Sequence, residues 1–332
     1  MSTTNTNTRM GIKNLNRYLH DKCSKTSIQK VHLETLSGKT LVIDTSIYLY
    51  QFITEEALLE NMYLFISLMH QYNIVPIFIF DGKPPPEKRA LLRQRHQDKR
   101  SAYEKYLKMQ SNIANAEYSE DERRKMQIEM EALKRQCVRV YDEDIVKVKR
   151  LMDAYCVTYY DAPNEADDLC AYFVSSGKAW GCVSDDMDMF LYKCPYVIRN
   201  LSLMNQTVML YDTHSILTDL DMSETEFCEI IMLSGTDYNA TTNTSLYETL
   251  HWRDEYCKYK LDNNAPRLGF YIWLLKNTNY ITDYNGLINV YRLFQGRREL
   301  EYDNMNFKPN ANSVRDIDAM RNLMKDEGFI FL

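Results

Sequence analysis

The sequence predicts an α/β fold built on a mostly parallel sheet flanked by helices. Two short apolar runs, "KTLVIDTS" at 39–46 and "NIVPIFIFDG" at 73–82, have the composition of strands that are buried on both faces. The segment between them, "EEALLENMYLFISLMHQY", places its apolar residues at helical spacing. A strand, a helix and a second strand in this order predict a right-handed crossover between parallel neighbours.

The totals agree with this fold class. The chain has 332 residues, of which 45% are apolar and 26% charged, so it can form a core and about two domains, or one domain with an appended lobe. No apolar stretch approaches the roughly 18 residues of a membrane span, which predicts a soluble intracellular protein. The eight cysteines are scattered without a C-x-x-C pair, which favours reduced core thiols over a zinc site or a disulfide framework.

The remaining elements follow in order along the chain. Residues 87–152 are highly charged and lack proline and glycine, which predicts two or three helices. "CVTYYDAPNEADDLCAYFVSSG" predicts a strand, a loop and a helix, and "AWGCVSDDMD" a further strand. "PYVIRNL" and "TVMLYD" are predicted to be edge strands, and residues from about 222 onward to form a mainly helical lobe.

Acidic residues stand where these predicted elements end. Each has an ordinary explanation, because an acid can cap a helix, "DG" readily forms a turn, and Asn164 is a credible N-cap for the helix that follows it. Ligands of an open parallel sheet bind at the carboxyl ends of its strands, so these acids are also expected to converge there. The set comprises Asp44, Asp81, Glu165, Asp167, Asp186, Asp188 and Asp237.

Convergence of these acids would require counter-charge. Two like charges about 4 Å apart repel by roughly 4 kcal/mol at an effective dielectric constant near 20. Hard oxygen ligands without histidine or cysteine favour Mg²⁺, with Mn²⁺ as a substitute. Two such ions about 4 Å apart can promote phosphodiester hydrolysis.

Other phosphate chemistries have little support in the sequence. "LSGKTL" ends like a phosphate-binding loop, but Leu33 stands where the first glycine is required and the tract precedes a strand. The sequence contains no G-x-S-x-G, no H-E-x-x-H and no dinucleotide-binding fingerprint.

A basic segment, "KPPPEKRALLRQRHQDKRSAYEKY" at 83–106, begins two residues after Asp81. Lys88 and Arg95 are seven residues apart, so on a helix they share one face about 10 Å apart. A solvated charged helix would explain this composition. A phosphate that approaches metal ions also needs cationic neighbours, so the position beside Asp81 favours a substrate contact.

With these motifs identified, the chain resembles the flap endonuclease family of structure-specific 5′ nucleases. The resemblance is carried, in order, by "MGIKNLNRYL", "LVIDTSIYLYQF", "IFIFDGKPPPEKR", "VKRLMDAYCVTYYDAPNEADDLCA", "CVSDDMDMFLY" and "LSGTDY", and covers most of residues 10–240. It implies a PIN-like core at 10–240, in which residues 87–140 form a helical arch, a C-terminal helical DNA-binding lobe at 241–332, and a disordered extension at 1–9.

The resemblance also implies roles for individual residues. The seven acids would hold two Mg²⁺ ions, and Lys88 and Arg95 would contact the scissile phosphate. Tyr50 would stack on the nucleotide near the cut, and Gly11 would lie exposed at the start of the core. Arg93 and Lys99 of the basic segment are expected to contact the substrate.

Three departures from the family pattern qualify these expectations. The segment between Asp44 and Asp81 is short, which predicts a reduced duplex wedge and 3′-flap pocket. "NATTNTSLYETL" after Asp237 lacks the glycine-rich hairpin that binds downstream duplex and potassium. The sequence shows neither a basic C-terminal extension nor a sliding-clamp box. Together with the 25 tyrosines, this compact form suggests a member encoded by a large DNA virus.

The function expected is cleavage of branched or 5′-ended DNA in replication, repair or recombination. We expect a monomer that acts in the nucleus or at a viral replication site, with no membrane contact. An RNA-directed 5′-3′ exonuclease and a non-catalytic junction-binding module are the alternatives. A panel of DNA and RNA substrates distinguishes the first, and retention of all seven acids argues against the second.

Overall fold

The computed structural model describes residues 12–115, 119–236, 238, 244–262, 266–294, 302–303 and 314–329. Within these residues, seven strands form a single sheet in the order β1-β7-β6-β5-β2-β3-β4. β6, β5, β2, β3 and β4 are parallel, whereas β7 is antiparallel to both β6 and β1. The strands are β1 Ile28–His32, β2 Thr40–Asp44, β3 Val75–Phe80, β4 Thr158–Asp161, β5 Gly181–Val183, β6 Tyr196–Ser202 and β7 Thr207–Asp212.

The prediction that "PYVIRNL" and "TVMLYD" are edge strands is wrong. They form β6 and β7, which lie inside the sheet, and the edges are β1 and β4. β1 was not predicted from the sequence. It pairs with β7 from Ile28 opposite Tyr211 to His32 opposite Thr207, a contact between segments about 180 residues apart that local patterning cannot show.

Helices cover both faces of the sheet. Three of them, α4, α5 and α6, occupy the charged segment that was predicted to form two or three. The helices are α1 Leu15–Lys22, α2 Thr45–Thr54, α3 Leu58–Gln71, α4 Arg89–Asn115, α5 Glu120–Gln136, α6 Asp142–Tyr155, α7 Ala166–Ser175, α8 Thr213–Asp219, α9 Glu224–Leu233, α10 Leu246–Lys260, α11 Phe270–Asn277, α12 Tyr284–Phe294 and α13 Ile317–Asp326.

The two faces of the sheet carry separate cores. Val42 of β2 points into a core shared with α1 and with α7 to α12, whereas Leu41 and Ile43 point into a core shared with α2, α3, α6 and α13. Because each central strand buries side chains on both faces, its sequence is continuously apolar rather than alternating. The result is a three-layer α/β/α arrangement.

The C-terminal helices divide between these faces. α9 to α12 pack on the first core, but α13 packs on α6, where Met324 is buried and the Asp316 amide donates to the carbonyl of Ala154 at 2.8 Å. The last helix therefore lies against the other face of the sheet, although the domain boundaries themselves stay a prediction. No helix in the described part of the chain is long and apolar enough to cross a membrane.

α4 and α5 form a helical hairpin, in which the Lys99 ammonium of α4 donates to the carbonyl of Val138 just after α5. α4 has 27 residues and α5 has 17, and α5 begins with a capping box in which Ser119 and Glu122 bond each other's backbone. Residues 81–88 connect the carboxyl end of β3 to the start of α4. This connection brings the basic segment to the same edge of the sheet as the acids.

Candidate active site

The carboxyl ends of the parallel strands define the candidate site. The strand order reverses at β2: β3 and β4 lie on one side of it, and the later strands β5 and β6 lie on the other. Ligands of open α/β sheets bind at such a switch point. Asp44 is the last residue of β2, Asp81 directly follows β3, and Asp186 follows β5.

Two serines orient the carboxylates of the central strand. The Asp44 carboxylate accepts hydrogen bonds from the Ser46 amide and from Oγ of Ser184, each at 3.2 Å. Asp186 begins the short 3₁₀ turn Met187–Phe190 and accepts the Asp188 amide at 2.9 Å. Asp44 and Asp186 are only 6% and 8% exposed. The capping explanation is therefore correct for Asp44, and Asp186 also caps the turn that follows it. Capping places both carboxylates at the sheet edge.

Asp81 joins its strand to the start of α7. Its Oδ1 accepts the Ala166 amide at 2.8 Å, and its Oδ2 accepts Oγ of Ser46 at 2.5 Å. Gly82 makes this contact possible, because a Cβ there would lie 2.0 Å from the carbonyl oxygen of Ala162. The glycine of "DG" thus serves the close approach of two loops.

The expected N-cap at Asn164 is wrong. Glu165 occupies the N-cap position of α7 without a side-chain capping bond. The Asp81 carboxylate bonds the first amide of the helix in place of a local cap. The Glu165 side chain is therefore directed to other partners.

Glu165 forms a compact group with Lys88 and Tyr238. Lys88 Nζ lies 2.8 Å from Oε1 of Glu165, and the Tyr238 hydroxyl donates to Oε2 at 2.5 Å. The same ammonium lies 4.7 Å from the centre of the Tyr238 ring. Lys88 is only 6% exposed and belongs to the 3₁₀ turn Pro86–Lys88, so it precedes α4 instead of lying on it.

The electrostatics show that the acids lie close to one another. Burial raises the pKa of Asp44 well above its usual value, and the charges of Asp81 and Asp186 raise it further. Burial likewise raises the pKa of Asp167, with added repulsion from Asp44 and Asp186, and Lys88 opposes that rise. Asp44, Asp81, Asp167 and Asp186 are therefore close enough for their charges to interact.

Within "SDDMD", Asp185 has a structural role, because it bonds residues of β6. Its Oδ1 accepts the Asn200 amide and its carbonyl accepts a guanidinium N–H of Arg199, both at 2.7 Å. Asp188 is buried at 3% exposure in the same turn. Asp237 and Gly11 lie outside the described residues.

The residues predicted to contact substrate lie beside this cluster. Tyr50 is 40% exposed, and Lys99 Nζ lies 4.6 Å from the centre of its ring. Burial raises the pKa of Tyr50, and the charges of Asp81 and Arg95 act on it in opposite directions, so both residues are near it. Arg95 is half-buried and Arg93 is exposed on α4.

Three polar residues of the site were missed from the sequence. Ser46 and Ser184 bond the central carboxylates, and Tyr238 bonds Glu165. Both serines lie within the motifs that carry the acids, "LVIDTSIYLYQF" and "CVSDDMDMFLY", so their place in the sequence could have indicated a role in the site. Tyr238 had only its place in "LSGTDY", and its contact with Glu165 bridges 73 residues.

A divalent cation fits the donor chemistry of this cluster. Carboxylates are ligands that such a cation prefers, and burial, together with the charges of neighbouring acids, raises the pKa values of Asp44 and Asp167. Within the described ranges, however, no three acidic, histidine or cysteine side chains are grouped closely enough to hold a metal ion. Glu165 is directed to Lys88 and Tyr238, and Asp81 to the start of α7. The assignment of metal ligands stays a prediction.

Comparisons with known proteins agree with these features. The XPG N-terminal domain matches residues 10–102, and the XPG I-region matches residues 156–237. Flap endonuclease 1 of Glycine max is 31% identical over 248 residues, which cover 69% of this chain and 62% of that protein. Flap endonuclease 1 of Chlamydomonas reinhardtii is 30% identical over 254 residues, covering 70% and 60%. The chain thus matches less than two thirds of the length of these relatives.

Solved structures share the fold at lower identity. The catalytic core of Rad2 in complex with DNA substrate matches with a TM-score of 0.65 at 23% identity, over 96% of this chain and 95% of that one. Flap endonuclease-1 from Methanococcus jannaschii matches with a TM-score of 0.54 at 20% identity, over 90% and 97%. Human GEN1 in complex with Holliday junction DNA matches with a TM-score of 0.56 at 17% identity, over 96% and 73%.

Proposed function

Because the chain belongs to the flap endonuclease family, we propose that it is a structure-specific 5′ nuclease acting on DNA. Its reaction is hydrolysis of phosphodiesters at 5′ flaps, nicks or branched junctions, leaving a 5′-phosphate and a 3′-hydroxyl. The family membership and the names of the relatives support this activity. The geometry of the site supports the choice of a phosphodiester.

One observation carries the proposal. Asp44, Asp81 and Asp186 stand at the carboxyl ends of three neighbouring strands. Asp81 also accepts the first amide of α7, and this bond brings the helix start, with Glu165 and Asp167, to the same edge. Lys88 lies inside the same cluster. A concentration of carboxylates with an embedded lysine suits a metal-assisted reaction on a substrate with a phosphate charge.

The chain's own residues divide the work of such a reaction. Asp44, Asp81, Glu165, Asp167, Asp186, Asp188 and Asp237 would hold two Mg²⁺ ions, or Mn²⁺ in their place. When bound, these ions supply activation of water and stabilisation of the leaving oxygen. Lys88 and Arg95 would contact the phosphate being cut, and Tyr50 offers a ring on which a base can stack.

The outer parts of the substrate would meet the hairpin of α4 and α5. Arg93 is exposed on α4, and Lys99 is half-buried where α4 passes over Tyr50. Contacts of this kind bind phosphates without reading sequence. We place the protein in DNA replication, repair or recombination, as a monomer in the nucleus or at a viral replication site.

A substrate panel tests this function. Labelled 5′-flap, nicked, gapped and four-way DNA, with an RNA version of the flap, would be incubated with the protein and Mg²⁺. We expect cleavage of at least one branched or 5′-ended DNA, with a 5′-phosphate on the product, and loss of that cleavage in Asp186→Asn. Cleavage of the RNA flap alone would establish the RNA exonuclease alternative. Binding without cleavage in every case would establish the junction-binding alternative.

A further inference from the structure

Both oxygens of the Glu165 carboxylate have partners within the protein. Oε1 faces the Lys88 ammonium at 2.8 Å, and Oε2 accepts the Tyr238 hydroxyl at 2.5 Å. An ion pair this close, with side chains only 8% and 14% exposed, interacts far more strongly than a pair in water. A divalent cation that uses Glu165 as a ligand would approach oxygens that already face an ammonium and a hydroxyl group.

The lysine is held in place by rigid neighbours. Pro84, Pro85 and Pro86 precede it and restrict the backbone to a narrow range of φ. The Tyr238 ring, which lies below the ammonium, packs edge-on against Phe294 with 5.4 Å between ring centres. Lys88 is thus anchored beside Glu165 on two sides.

We propose that Lys88 and a divalent cation compete for Glu165. The lysine acts as a built-in counter-charge for the acid cluster, and binding of the cation to Glu165 displaces the ammonium from that carboxylate. The Tyr238 ring keeps the displaced ammonium beside the site, since the negative face of an aromatic ring attracts a cation. Loading of the site would thereby present Lys88 to the phosphate.

This inference rests on the proposed function and makes a prediction that a simple phosphate contact does not. A lysine that only contacts DNA would have no effect on cation binding when DNA is absent. A lysine that competes for Glu165 weakens cation binding, so its removal strengthens it. The same substitution would slow cleavage, and the two effects have opposite directions.

The experiment measures Mn²⁺ binding without DNA by electron paramagnetic resonance, on protein first dialysed against a chelator. Lys88→Met and Lys88→Gln remove the charge and shorten the side chain by only one heavy atom. We expect both to bind Mn²⁺ on the order of tenfold more tightly than the unmodified chain, the size of effect typical of groups that contact metal ligands. Circular dichroism verifies that each variant is folded.

Lys83→Met is the matched control. Lys83 is exposed and stands five residues earlier, so this variant makes the same change in net charge without touching Glu165. Its Mn²⁺ affinity should be unchanged. Equal or weaker binding by both Lys88 variants, or an equal gain in Lys83→Met, overturns the competition. If the unmodified chain binds no Mn²⁺, the metal-dependent function itself fails, and the inference fails with it.

Discussion

The carboxyl edge of the sheet and the α4–α5 hairpin both concentrate charge, but they do so in different environments. At the edge, Asp44, Asp186 and Lys88 are almost fully buried, and each acts on its neighbours strongly enough to alter pKa values. On the hairpin, Arg93 and Lys105 extend into solvent, and the Arg100–Glu104 ion pair has both side chains more than half exposed.

This difference determines what each region can do. Buried like charges cost free energy of folding, and groups with such perturbed pKa values cluster at functional sites. Exposed charges cost almost nothing and contribute little until a polyanion approaches. We therefore expect substitutions at the edge to change chemistry and stability, and substitutions of exposed hairpin residues such as Lys105 to change binding weakly.

The largest effect is expected at the edge. Asp186→Asn and Asp81→Asn should abolish cleavage, because each removes a carboxylate charge from the proposed metal site. Binding of DNA in Ca²⁺, measured by fluorescence anisotropy, should remain nearly intact. Near-normal cleavage by both variants would remove the basis for assigning the chemistry to this edge.

The second prediction compares the two regions directly. Lys88→Ala should reduce single-turnover cleavage at saturating enzyme by about 10²–10³, the usual contribution of one group aimed at charge in a transition state. Its dissociation constant should change only a few-fold, because one phosphate contact among many is lost. Lys105→Ala, on the exposed hairpin, is the control and should change both quantities weakly.

Equal cleavage rates and dissociation constants for Lys88→Ala and Lys105→Ala would contradict the difference between the edge and the hairpin. Lys88 would then be one more element of an electrostatic surface, despite its burial and its ion pair with Glu165. The slope of binding against salt gives a second measurement, which should fall by about one unit for each phosphate contact removed.

The third prediction concerns stability. Asp44→Asn keeps an N-cap side chain at the start of α2 and removes a buried negative charge from beside Asp81 and Asp186. In a chelating buffer its melting temperature should rise by a few degrees, the effect of about 1–2 kcal/mol. Lys105→Ala should leave the melting temperature unchanged. A lower melting temperature for Asp44→Asn would show that its hydrogen bonds outweigh the repulsion.

The smallest effect is expected at the turn between α2 and α3. Only residues 55–57 separate these helices, and Glu56 there forms an ion pair with Lys134 of α5. This short turn leaves little material for a 3′-flap pocket. A one-nucleotide 3′ flap should therefore barely change single-turnover cleavage of a 5′-flap substrate. A large stimulation would indicate that another segment forms the pocket.

The fold class and the acidic edge were predictable because their signals are local. Each apolar run predicts a buried strand, and an acid at the end of the run indicates where that strand ends. The pairing of β1 with β7 was not predictable, since "IQKVH" has mixed burial and its partner is remote in sequence. The interior position of β7 follows from that pairing, whereas β6 is interior because it pairs with both β5 and β7.

By itself, the sequence determined the residue types at the ends of the strands and the order in which they occur. Only the tertiary structure decided which contacts neighbouring residues of the same type make. Asp185 bonds Arg199 through its backbone carbonyl and Asn200 through its side chain, whereas Asp186 lies beside Asp44, because the bend after β5 places the two acids among different neighbours. The close approach at Gly82 and the meeting of Lys88, Glu165 and Tyr238 likewise required folding, since contacts between distant segments depend on packing rather than on local sequence.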